Sequence, residues 1–294
     1  VSIRVANAPV NFGIYDPARA PLPAPDLLAA LADAGYDGID SGPIGYLGTG
    51  ETLTGRLAAT GLGLAGGWVD LRYHDAEGFA ADLAGLEAAL DVFTAVPVPD
   101  PRFAPRPTLA CPANPERFAR PGLAYGEIED FAGFAARVQQ AADRCRERGL
   151  EGVFHHHLGT DIESAEEVQR LLDATDVSLC LDTGHLYLAD GDPLAALRAW
   201  APRIRQVHIK DGSREHTERI RAAGGDFAEL VARGGFFPLG AGDISPTEVV
   251  RVLREIDYTG WVVIEQDAPE TGRTLPELLA DQRANREALR KAGI

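Results

Sequence analysis

The stretch that most constrains this chain is Ser178 to Gly212, which reads as one βαβ unit whose strands both finish in polar side chains. Val177 to Leu181 and Ile204 to Val207 are short apolar runs of strand composition. The first runs into Asp182-Thr183-Gly184-His185 and the second into His208-Ile209-Lys210-Asp211. Between them, Asp192-Pro193 followed by Leu194, Leu197 and Trp200 is a helix signal. In parallel α/β folds the carboxyl ends of the strands carry the chemistry. An Asp and a His one strand apart at that rim point to a metal site.

The same alternation extends over the chain. Ser2–Pro9, Gly38–Gly42 and Leu62–Val69 read as the first three strands, with helices at Leu27–Leu31, Glu51–Thr60 and Ala76–Phe93 between and after them. Val96–Pro107 holds five prolines and cannot be a regular helix; a weak fourth strand follows at Thr108–Cys111. A helix at Gly126–Arg148 and a strand at Gly152–His157 come next, then a helix at Glu163–Ala174 and the βαβ unit. Ser213–Arg233 is charged and helical, an insertion near 213–235, and a Gly-rich loop follows at Phe236–Asp243. Trp261–Asp267 is the eighth strand and Pro276–Lys291 the last helix. Eight strands alternating with helices predict an α/β fold, a TIM (β/α)8 barrel, with residues 1–294 as a single domain. An open doubly wound sheet is the alternative, weakened because no GxGxxG follows the first strand.

Composition narrows the partners. The net charge of −16 argues against nucleic acid and against an anionic membrane surface. No apolar run is long enough to span a bilayer, and no charged-then-apolar leader opens the sequence, so a cytoplasmic protein is expected. Cys111, Cys145 and Cys180 are too sparse for a disulfide framework or a CxxC metal site. A homo-oligomer is compatible with the sequence, which leaves that state open.

The candidate site gathers ligand-type residues from consecutive strand ends: His155 and His157 on strand five, Asp182 on six, His208 on seven and Glu265 on eight. Imidazoles with carboxylates suit one divalent transition ion, Mn, Co, Zn or Fe, better than Mg. Strand alternation sends His155 and His157 to one face and His156 to the other, and either of the pair can be the fourth ligand. The remaining candidates are His157, His185 and Lys210 for proton transfer or charge stabilisation, Trp68 to stack on a sugar ring, and Asn7 and Asp211 near the rim. Packing is the competing explanation for Trp68.

Three stretches, Leu181-Asp182-Thr183-Gly184-His185, Val207-His208-Ile209-Lys210-Asp211 and Val263-Ile264-Glu265, resemble the xylose isomerase-like TIM-barrel superfamily of sugar phosphate isomerases and epimerases. Within it, His155-His156-His157-Leu158-Gly159-Thr160 is most similar to the inosose dehydratase members, as are Ala6–Gly13 and the loop Phe237–Gly242. The resemblance implies that Asp182, His208 and Glu265 are metal ligands. It sets His155 where the usual family has Glu, so one glutamate of the epimerases' two-glutamate proton shuttle is missing, and Asp40 stands where relatives often carry Glu.

The implied chemistry is loss of a proton α to the carbonyl of a small sugar or ketocyclitol, followed by dehydration as in an inosose dehydratase-like lyase. Isomerisation or epimerisation of a sugar or sugar phosphate shares the first half. A non-catalytic sugar-binding protein is the reading from another class. An endonuclease of abasic DNA shares the barrel and rim but needs a basic face, which the charge argues against.

Overall fold

The structure, a computed structural model, describes residues 2–124 and 126–294. Eight parallel staves close a barrel: β1 (Ile3–Asn7), β2 (Gly38–Asp40), β3 (Gly63–Asp70), β4 (Arg106–Ala110), β5 (Val153–His155), β6 (Ser178–Asp182), β7 (Ile204–Ile209) and β10 (Gly260–Ile264). Between β7 and β10 the short strands β8 (Asp211–Gly212) and β9 (Phe236–Phe237) pair antiparallel. Round the ring the order is β1-β10-β7-β6-β5-β4-β3-β2, so neighbours in sequence are neighbours in space apart from the excursion between β7 and β10. The TIM-barrel expectation therefore holds. No described helix is long and apolar enough to cross a membrane.

Helices bury one apolar stripe against the staves, as the 3.6-residue spacing requires. In Ala24–Asp33 the stripe is Leu27, Leu28 and Leu31; in Phe131–Glu147 it is Phe134, Val138, Ala141 and Cys145. The latter helix starts later than expected because Asp130, not Gly126, caps it, its carboxylate accepting from the Gly133 N–H. Ser164 and Glu167 form the capping box of Ala165–Ala174. The foot of the barrel is closed by Trp261, whose indole donates to Phe103 O. Gly38 and Gly63 make room for it: a Cβ at either would stand 2.6 or 2.9 Å from the indole ring.

Two helices and two bolts shape the opposite end. The insertion is a pair, Arg214–Ala222 and Phe227–Ala232, whose Phe227 ring meets Phe118 edge to face at 5.5 Å. The carboxylate of Asp211 accepts from the backbone N–H groups of Gly212, Gly240, Gly242 and Ile244, which fastens the Gly-rich loop. Glu163, fully buried, accepts from Gly122, Ala124 and Gly159 N–H and fastens the segment after Phe118.

Candidate metal centre

Strand register brings the donors together. Asp182 pairs with His208 across β6 and β7, and His155 lies beside Cys180, two residues lower on the same face as Asp182. Glu265 follows Ile264, which pairs with Ile209, so it leaves the strand next to His208. Ligand atoms of His155, Asp182, His208 and Glu265 lie within 4.8 Å of one another. His155 Nε2 is 3.1 Å from His208 Nδ1 and 3.6 Å from Asp182 Oδ2, and His208 Nδ1 is 3.2 Å from Glu265 Oε1. Donors held about 2.1 Å from a tetrahedral ion stand roughly 3.4 Å apart, which these spacings match. Asp182 Oδ2 is buried with no hydrogen-bond partner, the mark of an oxygen built for something other than the protein. The donor set therefore fits a divalent cation. The Cys180 thiol also lies beside His155 and His208, but burial pushes its pKa up to about 11 and keeps it protonated.

Backbone contacts aim these side chains. Asp182 Oδ1 caps the helix Thr183–Leu188 by accepting from His185 N–H at 2.8 Å, which turns Oδ2 inward. His156, on the opposite face as alternation requires, accepts from Asp182 N–H through Nε2 at 3.1 Å. Thr183 Oγ1 bonds both the N–H and the C=O of Lys210, tying β6 to β7 above the cluster.

Beside the donors a lysine ammonium sits among three carboxylates. Lys210, with no exposure, sends Nζ to His185 Nε2 at 2.7 Å, Asp267 Oδ1 at 2.9 Å, Glu265 Oε2 at 3.1 Å and Asp182 Oδ2 at 3.6 Å. Burial opposes charge on every one of these acids. Lys210 and His155 hold Asp182 down at about 2, and His208 with Lys210 holds Glu265 well below the carboxylate range. Asp267 is the acid that yields: burial pushes it up to about 6 even though Lys210 pulls the other way. A further trio, His157, His185 and Asp267, also has ligand spacing, but the Lys210 ammonium already fills the space between the last two.

A cavity of about 540 Å³ meets the cluster at Glu265 and is lined also by Asp40, Trp68, His157, Phe227 and Asp267. Trp68 stands edge-on to both His155 and His157. His157 Nδ1 donates to Leu158 O at 2.7 Å, which leaves Nε2 as the unprotonated nitrogen. Burial first, then Lys210, lowers the pKa of His157 to about 3, so the ring is neutral.

Two expected site residues stand elsewhere. Asn7 is fully buried and bonded to Gln282 and Asn11, not to the cavity. Asp211 spends its carboxylate on the loop bolt. His185 and Lys210 stand within the cluster, Lys210 Nζ 3.1 Å from Glu265 Oε2 and the His185 ring centroid 3.8 Å from that of His157. Conversely, Asp40 at the end of β2 faces the cavity, and sequence reasoning left it out of the site. It is 5% exposed, accepts one hydrogen bond, from Gly42 N–H, and burial raises its pKa to about 6. Its signal was a carboxylate at the end of a strand, at the same level of the barrel as the other donors.

The sequence profile described as xylose isomerase-like TIM barrel matches residues 28–292. A curated inosose dehydratase of Bacillus velezensis is 48% identical over 124 residues, 41% of this chain and 42% of that protein. The chain thus spans less than half the length of the curated relatives first matched. Among solved structures, the IOLI protein with a bound zinc atom superposes with a TM-score of 0.70 at 13% identity, over 98% of this chain and 99% of that one. L-ribulose 3-epimerase gives 0.70 at 18% identity, over 99% and 95%. At such identities the superpositions speak for the shared barrel.

Proposed function

Since the chain belongs to the xylose isomerase-like TIM-barrel family, we propose that it is a divalent-metal enzyme removing a proton α to the carbonyl of a small ketocyclitol or sugar, and that its reaction is dehydration of an inosose. The observation that carries this is the convergence of His155, Asp182, His208 and Glu265, from four adjacent staves, on a cluster whose Glu265 lines the cavity. The relatives named inosose dehydratase support the choice of reaction. A bound Mn, Co, Zn or Fe ion supplies the positive charge that steadies negative charge developing on the carbonyl oxygen.

The chain's own groups do the rest. Trp68 offers a flat apolar wall for the C–H face of the ring. The His157 Nε2 lone pair accepts from a substrate hydroxyl. Asp40, ionised above a pKa of about 6, takes the α-proton and returns it to the β-hydroxyl, which departs as water. Lys210 touches no substrate in this scheme; it holds the carboxylates of Glu265 and Asp182 charged and in place. Epimerisation remains the second reading, but His155 occupies the strand-five position at which the epimerase scheme requires a carboxylate base.

The test is NMR of the metal-loaded protein with inosose in deuterated water. Loss of the α-proton signal with growth of an unsaturated or diketone product is expected. An unchanged substrate spectrum with full metal loading would leave a sugar-binding protein as the better description.

A further inference from the structure

Glu265 lies one residue past the end of β10, where β1 no longer pairs with it. β1 accompanies β10 only as far as Asn7 opposite Ile264, then turns away into the single 3-10 turn Pro9–Phe12. Asn11 projects from that turn and takes over the missing contacts. Its Nδ2 donates to Ile264 O at 2.9 Å and its Oδ1 accepts from Gln266 N–H at 2.6 Å. A primary amide carries one donor face and one acceptor face, the pair a neighbouring strand would present. The two peptide groups it grips are those on either side of Glu265. On the β7 side, Glu265 N–H donates to Ile209 O at 3.1 Å.

The clamp is itself braced. Asn11 Nδ2 also reaches Asn7 Oδ1 at 3.1 Å and Gln282 Oε1 at 3.2 Å, and Asn7 Nδ2 donates to Gln282 Oε1 at 3.0 Å. Gln282 and Asn285 in turn donate to Gln266 Oε1. All these amides are buried. Uncharged amides satisfy one another there without the desolvation cost of ions, and leave the field at the metal cluster to the carboxylates and Lys210.

We propose that Asn11 is the positioning residue of the metal centre: by gripping the backbone on both sides of Glu265 it sets the direction of that carboxylate toward His208 and the cation. This rests on the metal reading above. Loss of the amide frees rotation at the peptide groups flanking Glu265 and lets its oxygens leave the cluster, whereas loss of an equally buried bond elsewhere does not.

The experiment measures Zn²⁺ affinity of the full chain by competition with a chromophoric chelator, with the Co²⁺ absorption spectrum as a second readout of ligand geometry. Asn11→Leu keeps the volume and removes both bonds; Asn11→Ser keeps part of the polarity and serves if the leucine variant fails to fold. Tyr46→Phe is the control, removing the buried Tyr46 hydroxyl's bond to Leu22 O, which lies outside the amides that brace Asn11. Affinity is expected to fall about ten- to hundred-fold in the Asn11 variants, as for other groups that orient a ligand, with an altered Co²⁺ spectrum. The control stays within about twofold of the parent whatever its melting temperature. Parent-like affinity in a folded Asn11 variant, or an equal loss in Tyr46→Phe, overturns the clamp alone. A parent chain that takes up neither ion overturns the metal reading and the clamp together.

Discussion

Lys210 Nζ lies 2.7 Å from Nε2 of His185, an ammonium donating to a buried neutral imidazole. Burial lowers the pKa of His185 far below its ordinary value, and the neighbouring His157 and Lys210 push in the same direction. The proton therefore stays on the lysine, and its positive charge is shared among Asp182, Glu265 and Asp267. Replacing it in Lys210→Met is expected to cost about 3–5 kcal/mol, because it strands buried carboxylates without their counter-ion. The sign with pH follows. Carboxylates whose folded pKa rises are stabilising only while protonated, so the deficit deepens as pH climbs through their raised values. Urea melts at pH 5 and pH 7.5 should show the variant closer to the parent at pH 5.

Asp182 divides its two oxygens between a helix cap and the cluster, so two substitutions separate the duties. Asp182→Asn retains an oxygen for His185 N–H and should keep nearly the parent's melting temperature while losing bound metal. Asp182→Ala loses both and should melt lower by a further ~1 kcal/mol, the usual worth of a cap. Elemental analysis beside thermal melts reads the two effects; full metal content in Asp182→Asn would remove Asp182 from the centre.

Asp40 gives a pH signature. Its pKa of about 6 in the folded protein predicts that kcat/KM rises with pH through that value as the base ionises, and that Asp40→Asn loses the limb along with about 10²–10⁴ of rate. Stability runs the opposite way. A carboxyl with a raised folded pKa is best tolerated below its unfolded pKa and costs up to about 3 kcal/mol above the folded one. Asp40→Asn should therefore gain on the parent between pH 4 and pH 7 in denaturant titrations.

Phe227 closes the mouth from the insertion side, against Phe118 and within ring-contact distance of His157. Truncation to Ala is expected to raise KM for the ketocyclitol by about tenfold, roughly the worth of one aromatic contact, with metal content unchanged. Steady-state kinetics with metal analysis on the same sample would show it. A fall in kcat alone would mean that Phe227 shapes the chemistry and not the access.

Much of the barrel was written in period and punctuation. Apolar runs ending in His155, Asp182, His208 and Glu265 are visible because a stave's rise and alternation are regular, so convergence at one rim follows from counting. What lay beyond the staves was harder. Asn7 and Asp211 are short polar residues after strands, the same description as a ligand, yet each is turned to a neighbouring backbone or amide that only the folded loop supplies. The helix Thr183–Leu188 begins directly at Asp182 with no spacer, which packs His185 against Lys210 and His157 where a loop would have put it over the mouth. Asp40, noted only as a departure from relatives that carry Glu, was not placed in the site because β2 is only three residues long and shows no alternation. Asn11 sits in a turn whose sequence carries no hint of the backbone it meets.

The loops over the mouth owe their shape to two interior acids, Glu163 and Asp211, whose hydrogen bonds all come from main-chain N–H groups. Main-chain donors are the same whatever side chain they carry. Outward-facing positions between those anchors are therefore open to redesign: their side chains can be exchanged to suit a different ring while the scaffold that presents them keeps its course.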